Sequence, residues 1–212
     1  SVTMASPLAE AELVRVRASG KINLALRSGP RRPNGYHRLA TLFQAVSVFD
    51  ELDARWAREG QFSITVAGEQ ADLVPTDDRN LALKAARLLA REYGVTSGCA
   101  LELRKTIPVT GGMAGGSADA AAALLACSVL WDLDTSPDDL LELGARLGAD
   151  VPFCLLGGTA MGTGRGDRLA PVLSRGTYQW VLALDEGELS TPEVFRRFDE
   201  LHPTGSAHLE VP

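Results

Sequence analysis

Apolar and polar residues alternate at a period of two through the first third of the chain. LVRVRA, at residues 13–18, alternates at this period from Val14 onward, and INLAL begins at residue 22. TLFQAVSVFDELDA and QFSITV follow a polar segment, residues 28–37, whose prolines and glycines are typical of a loop. The pattern predicts a strand or hairpin that opens the fold and two further strands after it.

Apolar residues recur at helical spacing in three later segments. Residues 80–94 (NLALKAARLLAREYG) place leucines and alanines on one face and stop at Gly94. Residues 135–148 (TSPDDLLELGARLG) offer Ser136 as an N-cap before a proline, and residues 190–201 (STPEVFRRFDEL) repeat a hydroxyl residue before a proline. Each segment is therefore predicted to be a helix.

Three shorter apolar runs indicate additional strands. They are CALELRKTIP at residues 99–108, VPFCLL at residues 151–156 and YQWVLAL at residues 178–184. Because strands and helices mix without a regular βαβ alternation, the order favours an α+β layer fold over a doubly wound sheet.

The segment TGGMAGGSADAAAALL, residues 110–125, places four glycines and a serine directly before an alanine-rich helix. A helix N-terminus has unpaired amides and partial positive charge, so a glycine-rich loop that runs into it can hold a phosphate. The alternative is a flexible turn with Ser117 as the N-cap. The Walker A and dinucleotide templates both fail, because no lysine follows the glycines and the loop lies about halfway along the chain.

Composition excludes several classes of function. With 21 basic and 27 acidic residues the net charge is −6, which argues against a general nucleic-acid binder. The three cysteines, Cys99, Cys127 and Cys154, are odd in number and widely spaced, as in reduced cytosolic proteins, and no histidines are paired at zinc-ligand spacing. We find neither a signal peptide nor a membrane span and expect a cytoplasmic protein, with residues 1–12 as a flexible tail.

Four segments, in order along the chain, resemble the GHMP kinase superfamily, in particular its members that phosphorylate 4-diphosphocytidyl-2-C-methyl-D-erythritol. The segments are GKINLAL, RRPNGYHRLATLFQAV, IPVTGGMAGGSADAA and LGADVPFCLLGGTAMGTGRGD. The resemblance covers about residues 14–198. It implies a small-molecule kinase of the non-mevalonate isoprenoid pathway that uses ATP and Mg²⁺.

The resemblance also implies an architecture. Residues 13–175 would form the GHMP kinase amino-terminal lobe, an α+β domain of the ribosomal protein S5 domain 2-like type that binds ATP. Residues 176–212 would begin the second lobe, most of which has no counterpart in this sequence. We therefore expect the 212-residue chain alone to be poorly active.

Site residues follow from the same resemblance. Asp150 matches the catalytic aspartate that accepts the substrate hydroxyl proton, and Lys21 matches the lysine that keeps it ionised. Asn23 lies two residues from Lys21, on the same strand face, and would bind the acceptor. The predicted nucleotide site consists of Asn80, Leu81, Lys105, Gly111, Gly112, Met113, Ala114, Gly115, Gly116 and Ser117. Ser117 is also the candidate magnesium ligand.

The predicted acceptor site contains the residues that would recognise cytosine. Tyr36 and Phe195 would stack on opposite faces of the base, while His37 reads its hydrogen-bonding edge and Thr191 adds a polar contact. Two alternatives stay open: a noncatalytic nucleotide-binding homologue, and a GHMP kinase for another small alcohol such as mevalonate or homoserine. NGYH together with STPEVF favours the cytidylyl acceptor. The sequence does not give the oligomeric state.

Overall fold

A six-stranded mixed sheet with helices packed against it forms the scaffold of the computed structural model. The structure describes residues 13–185, 187 and 189–204, so the tail predicted for residues 1–12 lies outside the described residues. The strands are β1 (Val14–Arg31), β2 (His37–Ala57), β3 (Phe62–Gly68), β4 (Gly98–Lys105), β5 (Thr159–Gly164) and β6 (Arg168–Pro171). The helices are α1 (Leu81–Tyr93), α2 (Gly115–Leu130), α3 (Pro137–Leu147), α4 (Val151–Leu156) and α5 (Thr191–Leu201).

The long strand β2 organises the sheet because both of its edges are paired. β1 runs antiparallel along one edge and forms a long hairpin with β2. On the other edge, β5 pairs with residues 39–44 and β4 pairs with residues 51–57. β3 joins β4 in parallel, and β6 joins β5 antiparallel. This arrangement places β1, the source of Lys21, beside the middle of β2.

Helix α2 is buried on nearly all sides. Residues 118–124 are all buried, and all but Asp119 are alanine or leucine. Small alanine side chains let neighbouring elements approach closely, and α2 packs against α1, α4 and the strands β1 and β2. The glycine loop therefore ends at a helix whose body, from Ala118 onward, is packed in the core.

The predicted ends of α1 and α3 are confirmed. The Asn80 side chain accepts hydrogen bonds from the first-turn amides of α1, and Gly94 ends that helix with a left-handed φ of 64°. Ser136 and Asp139 form a reciprocal capping box at the start of α3.

Two local predictions are wrong, and one alternative is excluded. VPFCLL forms helix α4 instead of a strand, because Asp150 and Pro152 supply helix-start signals that a short apolar run hides. Residues 178–184 adopt no regular structure, since no described strand pairs with them, and Val181 is 98% exposed. Ser117 is not the N-cap of α2: Ala114, with a left-handed φ of 56°, occupies that position without a side-chain cap.

Among the described residues, no helix combines the length and apolar character needed to cross a bilayer. The cysteines are free thiols, and the Sγ atoms of Cys99 and Cys127 lie 3.9 Å apart in the core.

Candidate active site

The glycine loop, residues 108–116, forms one wall of a cavity of about 300 Å³. Gly112 and Ala114 have left-handed φ values of 69° and 56°, which turn the chain sharply into α2. The cavity is lined by nine of the ten residues predicted for the nucleotide site, namely Asn80, Leu81, Lys105, Gly111, Gly112, Met113, Ala114, Gly115 and Gly116. The loop and the N-terminus of α2 together form a site with the chemistry of a phosphate cradle.

Two of these residues have tasks that the sequence did not indicate. Both polar side-chain atoms of Asn80 have protein partners, because its oxygen caps α1 and its Nδ2 donates to the Pro75 carbonyl at 2.8 Å. Lys105 is 4% exposed, and its Nζ donates to Asp50 at 2.6 Å and to Asp119 at 3.0 Å. The lysine therefore forms the floor of the cavity instead of reaching freely into it.

The buried cluster of Lys105, Asp50 and Asp119 supports the glycine loop from below. Asp50 also accepts the backbone amides of Thr106 and Ile107 at 2.7 and 2.9 Å, which fixes the chain between β4 and the loop. A Cβ atom at Gly115 would lie 2.8 Å from Lys105 Nζ, so the loop approaches the cluster as closely as glycine allows.

The two carboxyl groups of this cluster differ in charge. Burial, with the hydrogen bond to Asp50, raises the pKa of Asp119 to about 8. Burial would also raise the pKa of Asp50, but hydrogen bonds from Asp119 and Lys105 outweigh it and lower that pKa. One Asp119 oxygen, Oδ1, is buried without a partner among the described residues. At neutral pH a protonated Asp119 leaves the Lys105 and Asp50 charges balanced beneath the loop.

Lys21 and Asp150 come together, as predicted. Lys21 Nζ lies 3.8 Å from Asp150 Oδ2 and donates to Asn23 Oδ1 at 2.7 Å. Asn23 in turn donates to Thr41 Oγ1 at 2.7 Å, and Thr41 donates to the Ala25 carbonyl. The Lys21 ammonium is therefore oriented by a chain of hydrogen bonds across β1 and β2.

The position of Asp150 leaves its carboxylate available. Asp150 precedes α4 at the N-cap position but makes no side-chain capping bond, and its side chain is 35% exposed. Cys154, one turn away, is not a candidate nucleophile, because burial and the Asp150 charge raise the pKa of its thiol to about 12.

A backbone hydrogen bond connects the two halves of the site. The Lys21 amide donates to the Met113 carbonyl of the glycine loop at 3.0 Å. Ser117 is the predicted nucleotide-site residue that does not line the cavity; a Cβ atom at Gly148 would lie 3.8 Å from its Oγ. The Ser117 hydroxyl thus faces the turn that leads to Asp150, and it makes no hydrogen bond with a described residue.

A second cavity, of about 820 Å³, contains the residues predicted for the acceptor. Tyr36 and His37 come from the junction of the turn with β2, and Thr191 and Phe195 come from α5. The Phe195 ring is stacked on His37 with centroids 4.7 Å apart, while Tyr36 is 61% exposed. Ala149 also lines this cavity, which therefore reaches the residue next to Asp150.

Sequence interpretation missed Asp199, whose carboxylate lies 2.7 Å from His37 Nε2. A signal for it existed: Thr191, Phe195 and Asp199 are spaced four residues apart on α5, and all three line the cavity. Asp50 and Thr41 were missed as well, because both lie within an otherwise regular strand pattern.

The comparisons with known proteins agree with this geometry. The model described as GHMP kinases N terminal domain matches residues 80–158, which hold the glycine loop, α2 and Asp150. The 4-diphosphocytidyl-2-C-methyl-D-erythritol kinase of Leifsonia xyli subsp. xyli is 53% identical over 190 residues, which cover 89% of this chain and 61% of that protein. The chain contains a GHMP kinase N-terminal domain. The enzyme of the same name from Mycobacterium avium is 54% identical over 192 residues, which cover 91% of this chain and 60% of the relative.

Solved structures extend the comparison of this GHMP kinase domain. A crystal structure of 4-(cytidine 5′-diphospho)-2C-methyl-D-erythritol kinase matches it with a TM-score of 0.68 at 34% identity, covering 87% of this chain and 64% of that one. The mevalonate kinase of Methanococcus jannaschii matches with a TM-score of 0.59 at 11% identity, which shows the fold alone. The resemblance and the α+β fold class are thereby confirmed. The chain spans about three fifths of the length of the curated relatives it matches.

Proposed function

We propose that the protein is an ATP-dependent kinase that phosphorylates the 2-hydroxyl of 4-diphosphocytidyl-2-C-methyl-D-erythritol in the cytoplasm. The names of its relatives support this acceptor. The observation that carries the proposal is the convergence of two cavities near Asp150: the glycine loop is hydrogen-bonded to Lys21, and the second cavity is lined by Ala149. A donor and an acceptor bound in these cavities would meet at one carboxylate.

ATP fits the first cavity on the chemistry of its wall. Gly115 and Gly116, the first residues of α2, line the cavity with the loop, and Lys105 Nζ, which two carboxyl groups hold in place, lies 2.8 Å from where a Gly115 Cβ would be. A helix N-terminus stabilises phosphate charge through its first amides and its dipole. Mg²⁺, with Ser117 as the candidate protein ligand, would supply the charge neutralisation that phosphoryl transfer requires on the β and γ oxygens.

Asp150 is proposed as the general base, with Lys21 as its partner. The carboxylate can accept the proton of the acceptor hydroxyl, and the Lys21 ammonium 3.8 Å away can orient it. The Asn23 and Thr41 bonds restrict the Lys21 side chain, which is 8% exposed, to one position. Positioning of this kind supplies much of the acceleration in phosphoryl transfer.

The second cavity would bind the cytidylyl end of the acceptor. Tyr36 and Phe195 offer aromatic faces, and His37 and Thr191 offer polar contacts. Stacking on aromatic side chains is a general way to bind a base, and a histidine edge adds hydrogen-bond selectivity.

The test is product formation by the protein from the complete reading frame, supplied with MgATP and one alcohol at a time. Mass spectrometry should find a phosphorylated product from the cytidylyl acceptor and none from mevalonate or homoserine. Phosphorylation of mevalonate or homoserine instead would contradict the acceptor assignment. ATP binding without any product would favour the noncatalytic alternative.

A further inference from the structure

The acceptor cavity contains a histidine whose ring is fixed by a carboxylate from a distant part of the chain. His37 Nε2 lies 2.7 Å from Asp199 Oδ1, across 162 residues of sequence. The His37 side chain is 6% exposed and that of Asp199 is 26% exposed, so the contact is largely shielded from water. Phe195, one turn before Asp199, holds the same ring by stacking.

This contact determines which nitrogen of a neutral His37 carries the proton. An ionised carboxylate only accepts hydrogen bonds, so Nε2 must be the donor, and Nδ1 is then a bare acceptor. Nδ1 makes no hydrogen bond with any described residue, and His37 lines the cavity. His37 is therefore a cavity-lining residue whose Nδ1 has no partner among the described residues, and a ligand in the cavity can supply one.

We propose that Asp199 is a positioning residue that sets the tautomer of His37 and so makes this cavity select cytosine over uracil. The inference rests on the proposed function, which places a cytidylyl group in the cavity. Cytosine carries an amino group at C4, which can donate to Nδ1. Uracil carries a carbonyl oxygen at the same position, which would face the Nδ1 lone pair and leave both acceptors unsatisfied.

The size of the effect follows from the cost of an unmade hydrogen bond. A site built to pair with a polar group discriminates strongly against an analogue that leaves its own groups unpaired. We expect the wild-type protein to prefer cytidine over uridine nucleotides by at least about tenfold, since tenfold corresponds to about 1.4 kcal/mol and one hydrogen bond supplies that much.

Asp199→Asn separates the tautomer from the shape of the site. Asparagine has nearly the same volume, but it removes the negative charge that makes Nε2 the donor, and its amide can donate to Nε2 and so move the His37 proton to Nδ1. The matched control is Glu193→Gln, which neutralises a carboxylate on the same helix that lies outside the cavity lining and is 69% exposed.

Two measurements test the inference on the protein from the complete reading frame. Nitrogen-15 NMR at about pH 8 should show His37 protonated at Nε2 in the wild type and in Glu193→Gln, and at Nδ1 in Asp199→Asn. Calorimetric titration with cytidine and uridine 5′-monophosphate should give the cytidine preference in the first two proteins. In Asp199→Asn that preference should fall to about onefold or reverse.

A cytidine preference that survives Asp199→Asn would overturn the inference, and so would equal weakening of both nucleotides with their ratio preserved. A wild-type His37 protonated at both nitrogens or only at Nδ1 would overturn it without any ligand. These failures leave the proposed function intact. A wild-type protein that prefers neither pyrimidine would instead contradict the proposed acceptor, and this inference with it.

Discussion

Replacing Asp119 with asparagine should remove a loss of stability that the wild-type protein undergoes as the pH rises from about 6 to about 8. Asp119 lies beneath the glycine loop, where burial and the hydrogen bond to Asp50 raise its pKa to about 8. In the unfolded chain an aspartate has a pKa of about 3.9. Over the interval between these values, the folded protein holds a proton that the unfolded chain has released.

The sign and magnitude follow from this difference in bound protons. Because the folded state binds more protons, the free energy of unfolding falls as the pH rises, by at most about 1.4 kcal/mol per pH unit. The stability that protonated Asp119 contributes is complete below about pH 4 and lost by about pH 8. Between pH 6 and 8 the loss sums to about 2 to 3 kcal/mol, and the curve should level off above pH 8.

Urea unfolding at pH 6, 7, 8 and 9 measures this effect. Asparagine resembles the protonated carboxyl group, because it can accept from Lys105 and donate to Asp50. Asp119→Asn should therefore change little in stability between pH 6 and pH 8, whereas the wild type should lose about 2 kcal/mol over the same interval. Asp78→Asn, at a carboxylate that is 86% exposed, is the control and should follow the wild-type curve. Parallel curves for Asp119→Asn and the wild type would refute the assignment of a proton to this cluster.

Two further predictions concern the cavities. Tyr36→Ala and Phe195→Ala should each raise the KM for the cytidylyl acceptor, because each removes a stacking contact that contributes about 1 to 3 kcal/mol. ATP affinity should hardly change, and equal losses for both ligands would place these rings in a structural role. Gly115→Ala should weaken ATP binding at least about tenfold with little change in acceptor binding, because the new Cβ would lie 2.8 Å from Lys105 Nζ, which is held by two carboxyl groups, so that the loop must shift. Unchanged ATP affinity in a titration would contradict the role of that close approach.

Local signals were sufficient for part of the fold and the site. Gly94 ends α1 and Ser136 begins α3 through contacts within a few residues, so capping chemistry alone predicts these ends. Lys21 and Asn23 share a strand face by simple alternation, and the structure joins them by a hydrogen bond.

The rest depends on contacts between distant parts of the chain. Asp50 lies 55 residues from Lys105, and Asp199 lies 162 residues from His37, so neither pair is visible in a local pattern. Residues 178–184 have strand-forming composition but no described strand beside them, and pairing with a neighbour is what stabilises a strand.

The central claim is that the two cavities serve one carboxylate. Turnover by Asp150→Asn tests this claim most directly. The substitution removes the proposed base while keeping the shape of the side chain, and it leaves the glycine loop untouched. In the protein from the complete reading frame, kcat with MgATP and the cytidylyl acceptor should fall by at least about 100-fold, while ATP affinity and thermal stability stay near wild type. Asp138→Asn, in the exposed first turn of α3, is the control and should retain full activity. Turnover of Asp150→Asn within a few fold of the wild type would contradict the account.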